Sequence, residues 1–301
     1  MAANKRAKYN RVSVFDVVLY AIMILFMACI VLPFLHVISV SLSSAGPVAA
    51  GQVGIWPVIV NEAGDSVLGV TLSTYKGVLD DGSFMGAYKI TLFNTIVGTV
   101  MSLVITAMCA YALSRRAIVG HKLFSLMITI TMFFGGGLIP TYLAVSNYGL
   151  TNTIWALILP QVLNTFNMII MRSFFIAYPS EIVESGQIDG LQDAGVFFRL
   201  VLPTSKAALA TIGLYYAVAY WNSYMPARLY IRDPELYPVQ HYLQQIIASV
   251  SSEDTQNEAT VLVSASVRYA CIMIVVTPIM CVYPFIQKYF VKGVMVGSIK
   301  G

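Results

Sequence analysis

From Val14 to Leu42 the chain is a run of apolar residues whose only formally charged side chain is Asp16. The run is far longer than the roughly 7 to 15 residues of a signal-peptide core, and long enough for a helix to cross a hydrocarbon layer about 30 Å thick. Small residues at Val48-Ala49-Ala50 come too late to serve as its cleavage site, so an uncleaved first span is expected. A backbone inside lipid must satisfy its own polar groups, and helices do so locally. Five further apolar runs follow, at about residues 90–113, 122–145, 153–178, 207–224 and 261–289. With 58% apolar and only 11% charged residues, a single soluble core is excluded. The expected fold is all-α: one polytopic membrane domain over residues 1–301, with six transmembrane helices spanning residues 14–42 and the five runs above.

Orientation follows from the basic residues, which favour the cytoplasmic side. With both termini cytoplasmic, the inner segments hold the N-terminal basic cluster, Arg115, Arg116, Lys122, Arg172, Arg199, Lys206 and the C-terminal lysines. The outer side keeps Lys76, Lys89, Arg228, Arg232 and Arg268. Residues 43–89 and 225–260 are then outer loops, the first turn-rich with room for a short helix over Ser73 to Leu79. Pro33 predicts a kink in the first span. Gly135-Gly136-Gly137 followed by Pro140 predicts a bent or partly unwound third span. The four cysteines lie in apolar runs with no paired spacing, so neither a disulfide framework nor a metal site is expected. Charge clusters in short loops rather than on a face, which argues against nucleic acid. No catalytic constellation is found.

The loop at 179–206 is the long polar interruption on the inner side. Ser180 is a plausible N-cap, with Glu181 and Glu184 near the positive helix end and Asp189-Gly190 as a turn. A second short helix is expected over Gln192 to Leu200, ended by Pro203. Phe197, Phe198, Leu200 and Leu202 are too apolar for free solvent, so this helix-turn-helix wants a partner.

Within it, Glu184-Ser185-Gly186, three residues, Gly190, nine residues and Leu200-x-Leu202-Pro203 resembles the EAA motif of ABC importer permeases, in which the pattern reads E-A-A, three residues, G, nine residues, I-x-L-P. Ser185 and Gly186 replace the alanines, and Leu200 the isoleucine. Gly186 should loosen the first short helix by roughly 1 kcal/mol relative to alanine, so its order is expected to come mainly from a partner's cleft. Ile188-Asp189-Gly190 looks like the carbohydrate-uptake, maltose-permease-like branch. GGGLIPTY at Gly135 to Tyr142, NTIWALILP at Asn152 to Pro160 and the tail Gln287 to Gly301 resemble the LplC/YtcP-type permeases for complex oligosaccharides. The resemblance covers essentially the whole chain.

That resemblance implies a type I importer permease of the bacterial cytoplasmic membrane. Glu184, Ser185, Gly186, Ile188, Asp189, Gly190, Leu200, Leu202 and Pro203 would couple to a cytoplasmic ATPase dimer, which binds the ATP and magnesium. A second permease chain, in a heterodimer, and an extracytoplasmic solute-binding protein would complete the importer. By the same analogy the basic tail reaches between the ATPase subunits, and the loop from Arg228 to Thr260 dips into the binding protein. The chain has no GxxxxGK[ST] phosphate loop of its own.

For the solute path, Gln161, Asn164 and Thr165 are spaced to share one helix face, as interhelical hydrogen bonds or as a polar lining. Tyr215, Tyr216, Tyr220, Trp221, Asn222 and Tyr224 form either an interfacial aromatic belt or a surface for sugar rings. Arg268 either snorkels to water or meets an acidic sugar. An oligosaccharide, possibly complex or acidic, is the expected solute; a peptide or polyamine is the alternative. A secondary transporter is disfavoured because the spans lack acidic residues after Asp16.

Overall fold

In a computed structural model, residues 14–115, 120–252 and 266–284 are described. The basic N-terminal segment, Arg116, the start of the sixth expected span at residues 261–265 and the tail from Gln287 lie outside them, as do the outer loop's residues 253–260. Nearly all described elements are helices, and they fall into two compact units, Met1–Val78 with Ile246–Ile274, and Leu79–Gln245 with Val275–Gly301.

In the first unit, α1 (Val14–Ser41) continues through Pro33 and buries only its last residues, Ser39, Val40 and Ser41. The bare apolar sides suit lipid. Its C-terminal end is knotted to the following loop by serines. Ser43 Oγ donates to the Ser39 carbonyl and accepts from Val58 N at 2.9 Å, while Tyr75 donates to Ser41 Oγ at 2.7 Å. After the single turn α2 (Ala45–Ala49) comes a hairpin, β1 (Val58–Val60) with β2 (Ser66–Leu68), antiparallel with Val58 opposite Leu68. The short helix expected at Ser73 is α3 (Ser73–Asp80).

The second unit is organised on α4 (Gly82–Ser114), which starts well before the expected residue 90 because Asp81 caps it, accepting from Ser83 N at 2.9 Å. Tyr242 also donates to this carboxylate, at 2.6 Å, and that bond more than burial sets its pKa, below the ordinary value of 3.8. The third expected span is broken: α5 (His121–Phe133) and α6 (Leu138–Asn147) meet at 114°, with Gly137 at φ +82° supplying the turn. Two 3₁₀ turns, Ile154–Leu157 and Leu159–Gln161, precede α7 (Thr165–Ile176) at a 50° bend.

The inner loop gives α8 (Ser180–Ile188), then α9 (Asp193–Val196), a π turn at Phe197–Val201 and α10 (Leu202–Thr204). An 82° bend leads to α11 (Lys206–Trp221), followed by α12 (Met225–Tyr230), α13 (Val239–Ser252) and α14 (Ser266–Pro284). Among the described residues three helices, α1, α4 and α14, are long and apolar enough to cross a membrane singly; counting each bent pair as one span brings the total to as many as six.

Candidate functional site

The inner loop begins one residue earlier than its capping chemistry suggests. Pro179 occupies the cap position of α8, Ser180 is already helical, and no side chain caps the end. Its far end follows the glycine rule. Gly190 at φ +84° takes the left-handed position, Gly190 N donates to the Gln187 carbonyl at 3.0 Å, and Leu191 N reaches back to the Gly186 carbonyl at 2.9 Å. This paired closure folds Leu191 over the small residue Gly186.

Gly186 is buried, and a β-carbon there would lie 2.5 Å from Leu200 Cδ1 and 3.5 Å from Leu191 Cδ1. The glycine therefore admits Leu200 rather than merely softening the helix. Leu200 and Leu191 thus pack on α8 from within this chain, a contact that helix propensity alone does not reveal. Proline explains the π turn. Pro203 has no N–H for the Arg199 carbonyl, and its ring would strike that oxygen in a tight turn, so the backbone widens before it. The chain breaks after Thr204 rather than at Pro203.

The loop has two faces. Val183, Gly186, Val196, Phe197 and Val201 are buried in the core formed with α4, α7 and α11. Phe197 meets Tyr111 of α4 at 4.8 Å between ring centres and Phe175 of α7 at 6.4 Å, while Tyr111 meets Phe175 edge-on at 6.0 Å. Glu184, Ser185, Ile188, Asp189 and Pro203 are exposed, Ile188 by 86%. Leu200 and Leu202 are half-buried. A cleft of about 560 Å³ opens beside the loop between Met108, Arg115, Gln187, Asp193 and Phe198.

Arginine and histidine side chains meet at the C-terminal end of α4, beside the loop. Arg172 Nε of α7 donates to the Leu113 carbonyl at 2.9 Å, and the His121 ring nitrogen at the start of α5 lies 2.9 Å from the same oxygen. That oxygen is one of the orphan acceptors of the α4 terminus. Arg115 folds over Tyr111, donating to its hydroxyl at 2.6 Å.

The residues expected along a solute path divide. Gln161, Asn164 and Thr165 do not share a helix face. Gln161 ends a 3₁₀ turn after Pro160, and Asn164 is the N-cap of α7, accepting from Asn167 N at 3.0 Å. Asn164, a strong capping residue, starts a new helix where spacing alone predicts a continuous one. Gln161 donates to the Leu157 carbonyl at 2.7 Å, and the Thr165 hydroxyl lies 3.3 Å from that of Thr131.

Tyr216, Tyr220 and Trp221 are buried within the chain. The Tyr216 hydroxyl lies 2.7 Å from Thr106 Oγ1 and accepts from Asn164 N. Tyr220 is bonded to Ser102 at 2.9 Å, and Trp221 donates to the Val275 carbonyl at 3.2 Å. They fasten α11 to its neighbours. Of that row Tyr215 and Asn222 are exposed and Tyr224 is half-buried. Sequence reasoning missed their partners Ser102, Thr106 and Gly98; these sit at every fourth position of α4, a small-residue stripe that would have marked the packing face. Among the described residues no three His, Cys, Asp or Glu side chains converge as a metal site would require.

No family model matches the chain. The polygalacturonan/rhamnogalacturonan transport system permease protein YtcP of Bacillus subtilis (strain 168) is 38% identical over 293 residues, covering 95% of this chain and 98% of its own. Protein LplC of the same organism is 39% identical over 278 residues, covering 91% and 90%. A chain in the crystal structure of a bacterial ABC transporter involved in the import of the acidic polysaccharide alginate superposes with a TM-score of 0.83 at 32% identity, covering 92% of this chain and 96% of that one. With this identity sustained over nearly the full length, and with the helical architecture in agreement, the chain belongs to the carbohydrate ABC importer permeases, multi-pass subunits of the bacterial membrane that are not themselves the ATPase.

Proposed function

We propose that this permease serves an importer of oligosaccharides, acidic ones among them, and that residues 179–206 receive the stroke of a separate cytoplasmic ATPase dimer. The observation that carries the coupling reading is the division of α8. Val183 and Gly186 are packed on the chain's own helices, whereas Ile188 stands out at the tip beside Asp189 and Gly190. A large apolar side chain presented to water at the end of a stiffly seated helix fits a pocket on a partner. Glu184, Ser185, Leu200, Leu202 and Pro203 complete the coupling element, the leucines half-buried and the others exposed.

The substrate class is supported by the relatives, two of which act on uronate-rich polymers by their names. A peptide or polyamine has no comparable support. A second, distinct permease chain and an extracytoplasmic binding protein complete the importer, and Gln161, Asn164, Thr165 and Asn222 are the accessible polar groups for its path; Tyr216, Tyr220 and Trp221 shape that path from behind.

The test uses the complete importer, with its partner permease, ATPase and binding protein, in proteoliposomes. Ile188→Asp leaves the packed face intact, so assembly of the two permeases should persist while ATPase retention and oligogalacturonide uptake fall at least about tenfold, the loss typical of an interface anchor. Unchanged ATPase retention and uptake would reject the coupling surface. Uptake of a polyamine in preference to oligogalacturonide would reject the substrate class.

A further inference from the structure

A polar and aromatic cluster far from the coupling loop joins the ends of α11, α12 and α13. Asn222 follows α11, donates to the Val218 carbonyl at 2.9 Å and faces the Gln240 amide at 3.4 Å. Tyr224, at the cap of α12, accepts from Arg228 Nη1 at 2.6 Å. Its ring lies nearly parallel to the His241 imidazole, 22° apart with centres at 5.8 Å, and His241 also meets Tyr237 at 4.2 Å. His241 is only 9% exposed, and its Nδ1 is buried without a partner.

Arg228 is exposed and fixed at one corner by Tyr224, and among the described residues no carboxylate pairs with it. Asp233, further along the chain, accepts from Glu235 N at 3.0 Å. Burial first, and then the Arg228 charge, hold the His241 pKa below its ordinary 6.5. The ring is thus neutral at pH 7, and the Arg228 charge acts on the cluster unneutralised. A cation with an open fork, joined through Tyr224 and the His241 ring to the helix start that carries Gln240 and its long, easily exchanged bond to Asn222, is a receptor for a carboxylate flanked by hydroxyls.

We propose that Arg228, with Asn222 and Gln240, forms an entry site at which the permease takes the carboxylate and adjoining hydroxyls of an acidic sugar residue, with Tyr224 positioning the guanidinium. The site rests on the reading that the solute is an acidic saccharide. The distribution of basic residues puts the cluster on the outer side, where the solute arrives. The three residues come from the end of α11, from α12 and from the start of α13, so a ligand held here touches the end of α11, the helix that follows directly on the coupling loop.

Uptake of trigalacturonate and of its methyl ester by the complete importer, at low and high salt, tests this. Arg228→Gln should raise the KM for trigalacturonate about tenfold, as expected for one lost charge-assisted contact, leave the ester within about twofold, and abolish most of the salt sensitivity of the acid's KM. An equal loss for both solutes would assign Arg228 to folding or to lipid headgroups and overturn the site. An unchanged KM or unchanged salt sensitivity for the acid would overturn it too, with the substrate class left standing. Wild-type importer that carries neither solute would instead remove the substrate class, and this ligand with it.

Discussion

Gly186 and Leu200 are one packing decision made at two positions. The family pattern the loop resembles has alanine and isoleucine there, and this chain has traded a methyl group on one helix for a γ-branched rather than β-branched side chain on the other. A β-carbon at residue 186 meets the far end of a side chain rather than backbone, so the conflict is real but movable. Gly186→Ala should therefore lower the stability of the purified complex by about 1 kcal/mol, a typical cost of overpacking. Leu200→Val, which removes the offending carbon, should cancel most of that loss in the double variant. A thermal-unfolding cycle reads the coupling directly; strictly additive losses would show that the two side chains do not share this space. Gly190 is a separate matter, since its left-handed backbone and not its neighbours demands glycine there.

The seam between α4 and α11 shows what a helix interface in this chain requires. Gly98 lies under the ring of Tyr220, where a β-carbon would come within 2.7 Å of the ring atoms, and that ring is pinned by Ser102 and by the Ile158 carbonyl. Gly213, on the same seam, would place its β-carbon 3.7 Å from Leu103, an ordinary contact. Gly98→Ala should thus cost about 2 kcal/mol in the unfolding of the purified complex, whereas Gly213→Ala should be neutral or slightly stabilising, since alanine favours helix by up to about 1 kcal/mol. Equal effects at the two sites would contradict the seam. The loop motif and its glycine turn were legible in the sequence because each residue there answers a local backbone demand. The aromatic row of α11 was legible as a cluster but not as fasteners, because its partners lie between 52 and 118 residues away. The polar row at Gln161 misled because Asn164 is equally suited to a helix face and to a helix start.

For the molecule as a whole, the six apolar runs were legible because lipid solvation acts on composition, residue by residue. The breaks at Gly137, Asn164 and Ser205 were only half legible: glycine and proline announce a weakness, but neighbouring helices decide the angle. The hairpin Val58–Val60 with Ser66–Leu68 went unread, although its alternating residues flank a turn at Asn61 to Asp65, because two three-residue strands carry too little pattern. The orientation assigned from basic residues has a direct check. In a variant lacking the native cysteines, Ser185→Cys should react with a membrane-impermeant maleimide only from the cytoplasmic side of oriented vesicles, and Gln240→Cys only from the other. Labelling of both from one side would refute the six-span path.

The seat of the coupling loop has a mechanical consequence. Tyr111, Phe175 and Phe197 hold one another by ring contact, with no directional bond joining Phe197 to the other two. Pulling Phe197 out would expose ring surface at roughly 25 cal/mol per Å², while swivelling it in place exposes almost none. The joint is stiff in tension and slack in rotation, as a ball in a socket is. On the proposed coupling role, a stroke applied at Ile188 reaches α4 and α7 as displacement, and the loop is free to change its tilt on the ATPase as it does so.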